Sequence, residues 1–222
     1  MLCVNADSPS ARWITETAAV LEAGGITTLE KQQRIWALAD RFSARTHVRE
    51  VVPGMNNLCV ELDPESPGLE QLPDALLREW GSVTATSRAS RRFDIPVEYG
   101  GAAGPDLDEV ARHSGLSPAE VVRRHCAAEY TVYFLGFLPG FAYLGGLDAR
   151  LVTPRRREPR LAVPAGSVGI GGEQTGIYPW ASPGGWQLIG RTSVRLFDPT
   201  STSPAVLAAG DTGRFIDARA RK

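Results

Sequence analysis

Residues 154–186 hold the densest set of groups in the chain able to handle a small anionic ligand. The run PRRREPR supplies Arg155, Arg156, Arg157 and Arg160, and GSVGIGGEQTGIYPWASPGGW then packs seven glycines and two prolines into 21 residues. A guanidinium can grip a carboxylate or a phosphate with two parallel hydrogen bonds. Ser167, Gln174, Thr175, Tyr178 and Trp186 add neutral groups that orient a ligand rather than titrate. Gly169, Gly171, Gly172, Gly184 and Gly185 lack the side chains that keep a ligand or another backbone at a distance. The arginines read either as a solvated basic face or as anchors for an anion.

Several more demanding chemistries fail on spacing. A phosphate-binding loop of the form G-x-x-x-x-G-K-[ST] needs its lysine, but Gly171 and Gly176 are followed by Ile177. The dinucleotide pattern G-x-G-x-x-G starts at Gly169 and ends on Gln174 where glycine is required. Ala165 to Gly169 falls one residue short of a nucleophile elbow, and no periodic helix follows Ser167 to complete it. Of the three histidines, His47 lies far upstream, while His113 and His125 fall on expected helices with no companions at metal-ligand spacing. The region therefore reads as a glycine-kinked β segment lining a pocket, with no metal site and no self-sufficient catalytic set.

Composition narrows the partners. Lys plus Arg is 24 against 25 Asp plus Glu, so no overall field recruits nucleic acid or an acidic membrane. Lysine occurs only at Lys31 and Lys222. Cys3, Cys59 and Cys126 are far apart and odd in number, which argues against a disulfide framework and points to a reducing cytoplasm. The opening residues show no basic segment followed by an apolar one, so no secretory signal is read there. Residues 130–147 form an uncharged stretch of 18, but Pro139-Gly140 and Gly145-Gly146 interrupt it. Buried strands are expected there rather than a membrane helix.

The elements that position these groups fall into two domains, 1–85 and 86–222, joined by a polar, basic linker at 81–92. A strand is expected over 12–23. Thr27 and Glu30 form a capping box, and Ile35, Leu38, Ala39 and Phe42 recur at i, i+3, i+4 and i+7, predicting an amphipathic helix. Two β-rich runs follow, interrupted by Pro53-Gly54 and Asn56-Asn57, and then a helix over 69–80. The order gives a small N-terminal α+β sandwich resembling a split βαβ unit. In the second domain, Asp106-x-x-Glu109 and Ser117-Pro118-x-Glu120 mark two helix starts. From residue 130 onward the pattern is strand and turn, including an alternating strand over Thr192, Val194 and Leu196 with Gly190 as a bulge. That pattern predicts a β-barrel or sandwich.

The stretches FLGFLPGFAYLGGL, PRRREPRLAVPAGSVGIGGEQTGIYP and SPGGWQLIGRTSVRLFDP, in this order and spacing, resemble the family formed by the B subunits of bacterial 5-oxoprolinase. That family is also described as allophanate hydrolase subunit 1 and includes an inhibitor of a sporulation histidine kinase. QQRIWALA, VPGMNNL and IPVEYGGAAGPDL extend the resemblance over essentially the whole chain, and the first two favour the oxoprolinase branch.

The resemblance implies an α+β N-terminal domain followed by a cyclophilin-like β-barrel, association with the C subunit of 5-oxoprolinase, and cooperation with its A subunit. It also implies an ATP-dependent lactam hydrolase, inactive alone, that opens 5-oxo-L-proline to L-glutamate with ATP as co-substrate and Mg2+ as the ion accompanying it. It carries no catalytic assignment onto any one residue. Arg155 and Arg160 are expected to meet anionic groups, with Ser167, Gln174, Thr175, Tyr178 and Trp186 lining a pocket shared with the C subunit. Two other readings stay open: a non-catalytic protein docking on a histidine kinase, and one part of an enzyme for a urea-derived amide such as allophanate.

Overall fold

The computed structural model describes residues 7–87 and 90–220; Cys3, Lys222 and residues 88–89 of the expected linker lie outside them. The chain divides into two compact units, Met1–Arg88 and Ala89–Lys222.

In the first unit the single strand expected over 12–23 is a hairpin, β1 (Ser10–Trp13) and β2 (Ala18–Glu22). Thr15 turns the chain, its Oγ1 accepting the N–H groups of Thr17 and Ala18 at 3.2 and 2.9 Å. Helix α1 (Leu29–Ser43) is capped by Thr28 rather than Thr27, with Thr28 Oγ1 taking the Lys31 N–H. Its apolar stripe of Ile35, Leu38, Ala39 and Phe42 is buried. Strands β3 (Val48–Pro53) and β4 (Asn57–Leu62) follow, then a short 3-10 turn at Leu69–Gln71 leads into α2 (Leu72–Ser82).

The sheet order β1-β2-β4-β3 is antiparallel at every pairing, so the connection resembles a split βαβ unit only in sequence order. Strand β4 alternates half-buried and buried positions, and Leu58, Val60 and Leu62 meet Leu72, Leu76 and Trp80 of α2 in one core.

The second unit opens with β5 (Arg92–Tyr99), helices α3 (Leu107–Ser114) and α4 (Pro118–Ala127), and then β6 (Tyr130–Leu135) and β7 (Ala142–Gly145). Next come β8 (Arg160–Val163), β9 (Ser167–Gly171), β10 (Gln174–Ile177), β11 (Ser182–Gly184), β12 (Gln187–Arg191) and β13 (Thr212–Asp217). Seven of these strands close a barrel in the order β10-β7-β6-β13-β5-β12-β9, while β8 and β11 pair with each other outside it. Among the described residues only β5 and β13 run parallel in the barrel; the other pairings are antiparallel. The uncharged stretch at 130–147 is thus two buried barrel strands and their connection. Among the described residues no helix is long and apolar enough to cross a membrane.

Helices α3 and α4 pack their buried faces, including Val110, Ala111 and Val121, into the barrel core. Ser117 caps α4 as its spacing predicts, with Oγ accepting the Glu120 N–H at 3.2 Å. The alternating strand expected over Thr192 to Leu196 does not form, and β12 ends at Arg191. There Thr192 Oγ1 accepts the Val194 N–H at 3.1 Å, a local bond that competes with a strand ladder. The register shift between Leu188 and Gly190 is the irregularity that Gly190 signals in the sequence.

Candidate functional site

Strands β8 and β11 form a two-stranded flap beside the barrel. Phe141, Val163, Tyr178, Trp186 and Leu188 pack together there as a small cluster separate from the barrel core. The rings lock one another edge to face: Phe141 lies 5.3 Å from Tyr178 and 5.4 Å from Trp186, and Tyr143 lies 5.8 Å from Trp186. Such T-shaped pairs suit the ring quadrupoles and hold geometry better than aliphatic contacts. Together they wall a cavity of about 260 Å³, with Phe137 and Arg155 also lining it. Burial raises the Tyr143 and Tyr178 phenols above the ordinary tyrosine value, opposed in both by the Arg155 guanidinium. Both phenols are therefore neutral donors at physiological pH.

Arg155 also lines a second, larger cavity of about 690 Å³ shared with Arg156, Arg157, Asp106, Glu109 and Gln187. The four arginines of the 155–160 run are not equivalent. Arg160 Nη2 and Arg156 Nη1 donate to Asp106 Oδ1 at 2.7 and 3.3 Å. Arg155 and Arg157 form no ion pair among the described residues, which leaves two cations available to an anion. Gln187 Nε2 donates to the Pro154 carbonyl at 3.0 Å, and its buried Oε1 has no partner among the described residues. No group of three or more His, Cys, Asp or Glu side chains among the described residues could hold a metal ion.

The twelve residues singled out by sequence reasoning separate into three places. Arg155, Tyr178, Gly184, Gly185 and Trp186 line the aromatic cavity. Arg160 stands beside it, held by Asp106. Ser167, Gly169, Gly171, Gly172, Gln174 and Thr175 belong to β9, β10 and their turn and line neither cavity. Two glycines of the set admit aromatic rings. A Cβ on Gly171 would stand 2.5 Å from Trp186 Nε1, and one on Gly184 would stand 2.5 Å from the Tyr178 hydroxyl. The glycine density thus answers a packing need of the cavity wall as well as a turn at Gly172, where φ is +66°.

Thr175 takes part in a buried polar chain. Its hydroxyl donates to the Gly169 carbonyl at 2.9 Å, so the 3.0 Å contact with His125 must have His125 Nε2 donating. His125 Nδ1 then accepts the Tyr99 hydroxyl at 2.7 Å, and Cys126 Sγ donates to Tyr99 at 3.5 Å. His125 stacks on Phe215 at 4.4 Å and is fully buried, which pushes its pKa down to about 3. A neutral imidazole with both nitrogens committed holds the barrel together and is not available as a general base.

With this geometry in place, relatives define what it belongs to. The family model described as carboxyltransferase domain, subdomain C and D, matches residues 9–207. Over 204 residues the chain is 56% identical to the 5-oxoprolinase B subunit of Escherichia coli O157:H7, covering 91% of this chain and 93% of that protein. The chain belongs to the family of 5-oxoprolinase B subunits. The crystal structure of TTHA0988 superposes with a TM-score of 0.77 at 37% identity, over 94% of this chain and 40% of that one. This chain therefore spans about two-fifths of that protein's length. The Kluyveromyces lactis urea carboxylase, at 22% identity and a TM-score of 0.76 over 94% of this chain and 22% of that one, shares the fold.

Sequence reasoning missed Asp106 and Gln187 as parts of the candidate site. Asp106 looked like a local helix cap, yet its side chain makes no capping bond to α3. Phe141 and Tyr143, aromatics whose sequence context reads as core or pocket wall, line the aromatic cavity and meet the Trp186 ring.

Proposed function

We propose that this chain is one component of ATP-dependent 5-oxoprolinase, which converts 5-oxo-L-proline, ATP and water to L-glutamate, ADP and phosphate. It contributes part of a site shared with the C subunit, acts with the A subunit, and is inactive alone. The barrel is read as cyclophilin-like and the complex as cytoplasmic. The observation that carries this reading is the 56% identity to a 5-oxoprolinase B subunit over nearly the full length of both chains.

The chemistry of the site supports a shared centre. A lactam carbonyl is a poor electrophile, and transfer of a phosphoryl group to its oxygen converts that oxygen into a leaving group. A first water adds at the carbon and the C–N bond breaks, the nitrogen taking up a proton, to leave a glutamyl acyl phosphate. A second water attacks that acyl group and displaces phosphate, giving glutamate. Charge on the moving phosphoryl group must be stabilised by fixed donors. Arg157, on the larger cavity and in no ion pair among the described residues, can supply part of that here. The described part of the second unit contains no lysine and holds His125 away from solvent. The described residues include no carboxylate cluster for a divalent ion. Mg2+ accompanying ATP would therefore take its protein ligands from another chain of the complex.

The test is 5-oxoproline-dependent ATP hydrolysis and glutamate release by this chain mixed with the A and C subunits, each omitted in turn. Coupled turnover that disappears without this chain is expected. A well-assembled mixture with no turnover rejects the reading.

A further inference from the structure

We propose that the aromatic cavity is the subsite for the lactam ring, and that Arg155 anchors the ring's carboxylate. This rests on the oxoprolinase reading and assigns the substrate, rather than the nucleotide, to a particular place on this chain.

Shape comes first. At about 260 Å³ the cavity lies just under the roughly 300 to 1,000 Å³ of ordinary small-molecule pockets. That space takes a single small ring but not a whole nucleotide with its sugar and phosphates. The walls are aromatic faces and edges fixed against one another, with Phe141 at its centre touching Phe137, Tyr178 and Trp186. Such walls take a flat, mostly apolar ring without having to reorganise.

Charge supplies the second half. Among the described residues lining this cavity Arg155 carries the only charged side chain. Its guanidinium carbon stands 5.8 Å from the centre of the Trp186 ring, over the wall of the cavity. Arg156 and Arg160 are occupied by Asp106, whereas Arg155 forms no ion pair among the described residues. A guanidinium without a counter-charge beside an apolar cavity is complementary to a ring that carries one carboxylate. The neutral phenols of Tyr143 and Tyr178 can donate to the ring's carbonyl or to the same carboxylate. Arg155 also borders the larger cavity, whose lining sets Arg156 and Arg157 alongside Asp106, Glu109 and Glu158, so a ring held this way sits next to a second space of mixed charge.

The assembled complex of this chain with the A and C subunits provides the test, using Arg155→Ala and Arg155→Lys. A lost charge-assisted bidentate contact predicts a rise of about 10- to 100-fold in KM for 5-oxo-L-proline, with the KM for ATP changed less than about twofold. Lysine keeps the charge without the fork and is expected to fall between wild type and alanine. In parallel, the indole N–H signal of Trp186 is followed by 15N NMR while 5-oxo-L-proline is added to the wild-type complex and to Arg155→Ala. A shift in the first that is lost in the second supports the assignment.

Three results overturn it. A larger effect of Arg155→Ala on the ATP KM gives Arg155 to the nucleotide's phosphates, on the side of the larger cavity, rather than to the ring's carboxylate. Unchanged constants with an unmoved Trp186 signal show that the cavity is not used, while turnover by the wild-type complex leaves the oxoprolinase reading intact. No turnover by a correctly assembled wild-type complex rejects that reading, and the ring assignment falls with it.

Discussion

Asp106 binds two distant parts of the second unit at once: Arg160 Nη2 donates to its Oδ1 at 2.7 Å, and the Leu188 backbone N–H donates to its Oδ2 at 2.7 Å. The residue sits just before α3, Arg160 opens the flap strand β8, and Leu188 lies in the barrel strand β12. One buried carboxylate therefore fastens the flap, and with it one wall of the aromatic cavity, to the barrel.

Removing that carboxylate leaves an Arg160 guanidinium, already partly unpartnered at Nη1, without its counter-charge. Asp106→Ala is expected to destabilise the protein by about 3 kcal/mol, the lower end of what breaking a buried charged pair costs. Asp106→Asn keeps an acceptor for one donor and should cost about half as much. Urea unfolding of the purified chain measures both. Equal and negligible changes would mean that the flap does not depend on this contact.

A pair of glycine substitutions separates packing from backbone freedom. In Gly171→Ala the new methyl meets the Trp186 indole at 2.5 Å, whereas in Gly185→Ala its nearest neighbour is Pro159 at 3.7 Å, an ordinary contact. Overpacking of this kind costs about 1 to 3 kcal/mol. Gly171→Ala is expected to lower the thermal midpoint by several degrees and to alter the near-ultraviolet circular dichroism of the aromatic cluster. Gly185→Ala should leave both close to wild type. If the two variants behave alike, Trp186 is not packed against β9 as described.

Asn56 holds the β3–β4 turn of the first unit in a left-handed conformation, with φ at +58°. Its Nδ2 donates to the carbonyls of Gly24 and Gly25, both at 3.2 Å, and its own N–H donates to Gln32 Oε1 at 3.3 Å. Asn56→Gly loses the side-chain bonds but keeps the conformation. Asn56→Ala loses the bonds and also carries the strain of a Cβ in the left-handed region, about 1 kcal/mol more. Denaturant midpoints of the two variants should rank glycine above alanine. The reverse order would show that the turn relaxes to another conformation.

Local signals in the sequence survived where one short-range interaction decides the structure. The stripe from Ile35 to Phe42 and the Ser117 cap are of this kind, because each depends on neighbours a few residues away. Thr192 to Leu196 went the other way: its alternation is real, but a Thr192 side-chain bond to the Val194 N–H replaces the ladder. The site was less legible because its parts come from far apart. Phe141, Arg155 and Trp186 share one cavity only after the flap folds over the barrel, and no spacing rule connects them. Asp106 misled for a related reason, since an aspartate before a helix satisfies the local capping pattern whether its carboxylate turns to the helix or, as here, to Arg160 and Leu188. The arginine run supplies guanidinium groups without showing which members are paired: Arg156 and Arg160 are held by Asp106.

His125 makes the acid limit of stability specific. Burial holds its imidazole neutral and pushes its pKa from 6.5 down to about 3. In the unfolded chain the same group takes up a proton near 6.5, so between pH 6.5 and about 3 the unfolded state binds more protons than the folded one. The stabilisation is complete above pH 6.5 and is lost as the pH falls through that window. The slope is at most about 1.4 kcal/mol for each pH unit. His125→Gln removes the titrating group while leaving donors and acceptors for Tyr99 and Thr175. Urea unfolding from about pH 7.5 to about pH 4 is therefore expected to show a wild-type advantage that shrinks as the pH is lowered, other titrating groups cancelling in the difference. Parallel profiles for the two proteins would show that His125 is not held neutral by the fold. Thr175→Val, which deprives Nε2 of its acceptor, is expected to cost about 1 to 3 kcal/mol near neutral pH, where the unmet N–H is fully felt.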